Sequence, residues 1–217
     1  MTTHPSVSCA PAATPSKEDQ NVLGRLGIPG PKEAPDYSLR YEQTIRLKDH
    51  YQSMEPCRVS KASISRLAEE LANQLRIDAT TDFYALIKAN GGRISYVQYD
   101  ELKAEDGSIF IHTDRTFDVI LPIYTAPTRD RFTLAHELGH YVLHSPRERS
   151  YALRRDSTPV EWEANWFAAG LLMPEKKFLQ AMAETKDDMS LLAARFGVSR
   201  QAADVRLQSL TQSKAGA

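Results

Sequence analysis

The chain has 217 residues, 41% of them hydrophobic and 25% charged, an ordinary globular composition with room for one catalytic domain and a small appendage. Its formal net charge of -1 gives no global pull toward nucleic acid or anionic membranes. No apolar run approaches a membrane span, "MTTHPSVSCAPAATPSKEDQ" lacks the basic start and apolar core of a secretory signal, and Cys9 and Cys57, the only cysteines, form no metal-type spacing or disulfide framework. These features predict a cytoplasmic protein.

Residues 1–57 hold seven of the twelve prolines and read as a flexible N-terminal arm, with a short helix near "YEQTIRLKDHYQSM". A partner-binding tail is the alternative. From Ser60 the pattern is regular. "SKASISRLAEELANQLRI" places Ile64, Leu67, Ala68, Leu71 and Leu75 on one side of an amphipathic helix. "TDFYALIKANGG" predicts a second helix, with Thr81 as N-cap and Gly91-Gly92 as its stop. "RISYVQY", "GSIFIHT" and "FDVILPI" are rich in β-branched and aromatic residues and bounded by turn residues. They predict three strands in a small antiparallel sheet.

The most informative stretch is "RFTLAHELGHYVLH", residues 131–144. Leu134, Leu138, Tyr141 and Val142 follow the spacing of a buried helix face. His136 and His140 are four residues apart, so a helix aims both rings at one point. H-E-x-x-H is the spacing in which two helical histidines bind zinc. Glu137 adjoins His136 and falls beside the ion, where a general base takes a proton from the attacking water. The alternative is a core helix with hydrogen-bonded histidines, but burying such groups without a partner is costly. His144 lies one turn further on. It reads either as a helix-end histidine facing the carbonyl dipole, the preferred assignment, or as a substrate-binding group. Tyr141 and Tyr151 are both candidates to polarise a scissile carbonyl, and the sequence does not choose between them.

Catalytic zinc commonly takes three protein ligands. The next acid-rich helix start, "STPVEWEANWFAAGLLMP", offers Glu161 and Glu163. Thr158 as N-cap, Pro159 as first helical residue and Glu161 as third form a capping box, which gives Glu161 a structural task. Glu163 has none and lies among Trp162, Ala164, Trp166, Phe167 and Ala168, so Glu163 is the expected third ligand and Glu161 the alternative. "GLLMPEKKFLQAMAE" predicts a new helix from Pro174. "SLLAARFGVSRQAADVRLQSL" follows the helix-turn-helix pattern: Ser190 caps a short helix ending at Phe196, Gly197 turns, and Ser199 caps a helix to Leu210. Its basic groups, Arg195, Arg200, Arg206 and Lys214, are few for a DNA reader. Packing on the core or substrate recognition is therefore expected ahead of DNA binding.

The pair "RFTLAHELGHYVLH" and "EWEANWFAAGLLMP" resembles the ImmA/IrrE family of metallopeptidases, and the likeness runs from about Ile64 to Leu210. It implies a gluzincin-like zinc site with His136, His140 and Glu163 as metal ligands and Glu137 as catalytic acid/base. It also implies an intracellular protease that cleaves DNA-binding, helix-turn-helix repressors and so releases stress-response or mobile-element genes. The expected fold is α+β: an arm over 1–57, a helical zinc-peptidase core with a small antiparallel sheet over 58–185, and a helix-turn-helix-like segment over 186–217 packed on the core. The ligand set also admits manganese or another divalent ion. Two rival functions remain: a DNA-binding regulator with a structural metal site, and a repressor-sequestering partner without proteolysis.

Overall fold

The computed structural model describes residues 51–97, 108–122, 126–145, 150–153 and 158–215. Residues 1–50, and with them most of the expected arm and its short helix, lie outside the described residues. The last residues assigned to the arm are part of the folded body. Gln52–Ser53 forms an edge strand, β1, and Met54 is buried. The fold is α+β, with seven helices and five strands among the described residues.

Helix α1, Lys61–Gln74, starts where the Ser60 hydroxyl accepts from the Ser63 N–H, and it buries Ile64, Ala68, Leu71 and Ala72. Helix α2, Phe83–Ala89, is capped by Asp82 rather than Thr81. The Asp82 carboxylate accepts from the Tyr84 and Ala85 N–H groups, while the Thr81 hydroxyl is engaged by the Asp78 N–H. A carboxylate accepts both orphan donors at once and carries the charge the helix N-terminus favours. Gly91 ends this stretch at φ 85°, a conformation open to glycine without steric cost.

The three expected strands are present: β2 at Gly92–Val97, β3 at Ser108–Ile111 and β4 at Phe117–Pro122. They belong to a five-stranded sheet of order β1-β5-β3-β4-β2, where β5 is Ser150–Leu153. The sheet is mixed rather than antiparallel. β3 runs antiparallel to β4 and β5, but β2 is parallel to β4 and β1 is parallel to β5. Only β3 and β4 form a tight hairpin, its turn holding Arg115 at φ 70°. β2 lies on the far side of β4 from β3 and pairs with β4 in parallel. β1 and β5, two and four residues long, are too short to show alternation in sequence.

One face of the sheet carries helix α3, Pro127–His144, in which every residue from Thr133 to Tyr141 is buried. Helix α4, Pro159–Leu172, packs between α1 and α3. Small residues set these crossings. A Cβ on Gly139 would lie 3.2 Å from the Ala164 carbonyl oxygen and 3.1 Å from Phe167, and one on Gly170 would lie 3.0 Å from the Ser65 carbonyl oxygen. Helices α5 (Glu175–Glu184), α6 (Met189–Phe196) and α7 (Arg200–Ala215) complete the chain. The α6 cap is Asp188, not Ser190; Gly197 turns at φ 62°, and Ser199 accepts from the Ala202 N–H as expected. Arg206 of α7 is buried, donating to the Met173 carbonyl and pairing with Glu69 at 2.9 Å. This ties the helix-turn-helix to α1 and the end of α4. No helix among the described residues is long and apolar enough to cross a membrane.

Candidate metal centre

Helix α3 places His136 and His140 one turn apart on the side that faces α4, and both are buried. Their Nε2 atoms are 2.9 Å from one another. The carboxylate that completes the group is Glu161, from the first turn of α4. Its Oε2 lies 3.1 Å from His136 Nε2 and its Oε1 3.2 Å from His140 Nε2. Burial alone would raise the Glu161 pKa, but the two histidines hold it well below the usual carboxylate range.

The expectation for Glu163 is corrected by this geometry: the structure does not bring Glu163 to His136 and His140. Successive helical residues turn by about 100°, so positions 161 and 163 face nearly opposite ways. Glu163 accepts from the backbone N–H groups of Cys57 and Arg58 at 2.7 and 2.9 Å, and from His144 Nε2 at 2.8 Å. The capping box is only half made. The Thr158 hydroxyl accepts from the Glu161 N–H, while the Glu161 side chain turns to the histidines. The task that sequence alone gives Glu161 therefore falls to its backbone, and Glu163 has a structural partner 105 residues away, where no local pattern reveals it.

His144 is the last residue of α3, as expected, but its ring meets His140 and Glu163. It is buried, and its Nδ1 lies 3.1 Å from His140 Nδ1. Burial, together with the neighbouring His140, lowers its pKa to about 4 against the pull of Glu163, so the ring is neutral at neutral pH. Tyr141 donates to the Arg115 carbonyl, and Tyr151 stacks on Phe110 and accepts from Ser53. Glu137 is buried beside His136 and is not one of the three converging donors. Asn165, one helical turn after Glu161, was not anticipated. Its Oδ1 lies 3.0 Å from His136 Nδ1. The sequence signal was the spacing Glu161-x-x-x-Asn165, which puts a ligand-type residue and a ring-orienting amide on one face of α4.

Hydrogen bonding tests whether these residues suit a cation. With the Asn165 amide oxygen accepting from Nδ1–H, a neutral His136 ring turns the lone pair of Nε2 toward Glu161 and His140. In the same way, with the Glu163 carboxylate accepting from His144 Nε2–H, the His144–His140 contact takes its hydrogen from His140 Nδ1 when both rings are neutral, which turns the His140 Nε2 lone pair to the same point. Two Nε2 atoms 2.9 Å apart leave room for at most one hydrogen between them in any case. The result is two lone pairs and a carboxylate aimed at one buried point. Donors around a tetrahedral ion with bonds of about 2.0–2.1 Å sit roughly 3.3 Å apart, close to the distances found. Nitrogen and carboxylate donors of this kind fit zinc. The ring contacts from Asn165 and His144 are the outer-shell bonds that orient such ligands.

A second grouping, Cys57, His144 and Glu163, also brings ligand-type atoms within 4.8 Å of one another. Its hydrogen bonds are already complementary, since Glu163 receives three donors. Burial pushes the Cys57 thiol up, away from the thiolate a metal takes. Beside Asn165 opens a groove of about 800 Å³ between α3, α4 and α7. Phe132, Trp162, Trp166 and Val205 supply apolar surface there, Lys61 and Arg129 supply charge, and among the described residues no acidic side chain lines it.

Among known proteins, the propionyl-CoA carboxylase regulator of Cereibacter sphaeroides is 37% identical over 91 residues, 39% of this chain and 20% of that protein's length. A solved Mycobacterium tuberculosis transcriptional regulator superposes with a TM-score of 0.45 at 15% identity, covering 73% of this chain and 49% of its own. That likeness is too loose to bear on function. The model of the IrrE N-terminal-like domain matches residues 94–208, more than half of the chain and the part that carries His136, His140 and Glu161. On that match the chain belongs to the Peptidase M78 family, a family of metallopeptidases.

Proposed function

We propose that this chain is a cytoplasmic zinc-dependent endopeptidase whose substrate is a DNA-binding transcriptional repressor, cleaved to release stress-response or mobile-element genes. The observation that carries the reading is the convergence of His136 Nε2, His140 Nε2 and the Glu161 carboxylate on one buried point, 2.9, 3.1 and 3.2 Å from one another. These three residues would hold the metal. When bound, the ion would polarise the scissile carbonyl and make water more acidic, the usual contribution of such a centre. Glu137 takes the proton released as water adds to the carbonyl carbon, and delivers it to the amine nitrogen as the C–N bond breaks. Asn165 holds the His136 ring in register. The apolar and basic groove beside Asn165 supports a polypeptide substrate, and the name of the Cereibacter relative supports a regulatory setting.

Direct DNA binding by residues 186–217 is the lesser reading. Arg206 is buried against Glu69, Arg195 pairs with Glu184, and Arg200 lies 3.9 Å from Asp204. Three of the four basic groups named from the sequence are therefore balanced by acids.

The test is Glu137→Gln. The amide keeps the shape but accepts no proton. The variant should fold, retain zinc and still bind a repressor, with cleavage down by at least about a hundredfold, the scale of a positioned acid/base. Wild-type protein and variant are compared in a cleavage time course against one identified repressor, with new termini read by mass spectrometry and zinc measured on the same samples. Equal rates at equal zinc would remove the general-base role. Unchanged repressor control in cells carrying the variant would favour sequestration over proteolysis.

A further inference from the structure

Beyond the three converging donors, hydrogen-bond contacts run without a break from His140 through His144 and Glu163 to the backbone at residues 57–58. We infer that His144 and Glu163 are positioning residues for His140, and that docking of the Cys57–Arg58 backbone through them sets the metal affinity of the site. The inference rests on the reading that His140 binds the metal.

The backbone end of the chain has a set direction, and with neutral rings it propagates to the other links. The Cys57 and Arg58 N–H groups both donate to Glu163, which Arg58 permits by adopting φ 58°. Left-handed backbone at one residue turns successive N–H groups toward a common anion. It is uncommon for a residue other than glycine, so the conformation is maintained by its surroundings. Thus engaged, Glu163 remains an ionised acceptor, and the 2.8 Å contact to His144 Nε2 must carry a hydrogen from the ring. The neutral ring then presents only a lone pair at Nδ1, and the 3.1 Å contact takes its hydrogen from His140 Nδ1. His140 is left with a bare Nε2 beside Glu161 and His136. Reversing any link puts a proton on the His140 nitrogen that faces the site. The same path joins β1 and its following turn to the metal helix, because Glu163 reaches back 106 residues to Cys57.

The reversal can be imposed. In Glu163→Gln the amide can donate to His144 Nε2, which inverts both histidines. In Arg58→Pro the 58 N–H is lost and φ is locked away from the left-handed region, whereas Arg58→Gly keeps both. Four readouts are taken: zinc affinity by chelator competition, the absorption spectrum of the cobalt-loaded protein, the melting temperature without metal, and ¹⁵N shifts of the histidine rings without metal. Wild type should show His140 protonated on Nδ1 and His144 on Nε2. Glu163→Gln should exchange those assignments. Zinc affinity should fall roughly 10–100-fold, the range for outer-shell partners, in Glu163→Gln, His144→Ala and Arg58→Pro, with Arg58→Gly near wild type. Cobalt at saturation should still give a four-coordinate spectrum in each, because no ligand has been removed.

Wild-type rings with the opposite tautomers overturn the inference without any variant being made. So does zinc affinity within about threefold of wild type in Glu163→Gln and His144→Ala while Glu161→Gln loses the metal; in that case the metal centre stands and the relay does not. If Glu161→Gln and His140→Ala both keep zinc, the underlying site reading fails instead. A drop in metal-free melting temperature with unchanged zinc affinity marks a purely structural role and also overturns it.

Discussion

Two histidine–glutamate clusters sit one helical turn apart along α3 and are built from the same residue types, yet their electrostatics are opposite. Around His144 and Glu163 every acceptor meets a donor: two backbone N–H groups and one ring N–H close on the carboxylate. Around His136, His140 and Glu161 the two Nε2 atoms and the carboxylate crowd together at 2.9–3.2 Å, with room for at most one hydrogen between the rings. Burial is nearly equal in the two, so it does not distinguish them. The balance of donors does. A buried polar cluster is stable when donors and acceptors match, and costly when they do not unless an ion supplies the missing charge. Counting hydrogens therefore separates the cluster that needs a cation from the one that does not, where counting ligand-type residues finds both.

The largest effect expected from this contrast is on zinc. Glu161→Gln removes the charged member of the acceptor-only cluster and should lower zinc affinity by more than about a hundredfold, beyond the range of outer-shell changes. Without metal, the same variant should be no less stable than wild type, because an acceptor crowding two others is replaced by a group able to donate. Paired melting curves with and without zinc separate the terms, since a ligand stabilises only what binds it. A variant that keeps zinc-dependent stabilisation, or that is strongly destabilised when metal-free, would erase the contrast.

Much of this was legible in the sequence, in proportion to how local each signal is. The α3 histidines, Glu137, the α1 face, the three strands, the Thr158-Pro159 start and the Gly197 turn all rest on spacings of four residues or fewer, and the elements formed as read. The cap at α2 moved by one residue because Asp82 and Thr81 are both good acceptors and only the Asp78 turn decides between them. The sheet's parallel pairs were not legible, since β1 and β5 are short and lie far apart in sequence. The preference for Glu163 over Glu161 has the same origin. No local pattern shows a partner for Glu163, because the Cys57 and Arg58 amides lie at the expected boundary between arm and core, more than a hundred residues away in sequence.

A smaller effect is expected from Asn165, which touches the acceptor cluster from outside. Its Oδ1 fixes which nitrogen of His136 carries the hydrogen. Asn165→Ala leaves that N–H to water and lets the ring turn, so zinc affinity should fall by roughly tenfold, the lower end for an outer-shell contact. Asn165→Asp keeps an acceptor and should retain or raise affinity. Chelator competition on the three proteins checks the order. Equal losses in the alanine and aspartate variants would mean that packing, not the acceptor, is what Asn165 contributes.

The smallest effect concerns the residue that gave Glu161 its misleading role. Thr158 caps α4 by accepting from the Glu161 N–H through a long contact of 3.5 Å, and the Glu161 carboxylate does not reach back to the cap. The two halves of the apparent capping box are therefore energetically separate. Thr158→Ala should cost about 0.5–1 kcal/mol of stability, the lower part of the range for losing a cap, and the cost should be equal with and without zinc. Zinc affinity should stay within about threefold of wild type, because α4 is held at this end by its packing against α1 and α3 rather than by the cap alone. Glu161→Gln predicts the reverse pattern: a large zinc effect with little change in the metal-free protein. Measuring both variants in the same denaturant titrations, with and without zinc, gives a double dissociation between helix capping and metal binding. If Thr158→Ala instead weakens zinc as strongly as it weakens the helix, the cap and the carboxylate act as one unit, and Glu161 owes its position to the helix start rather than to the histidines it faces.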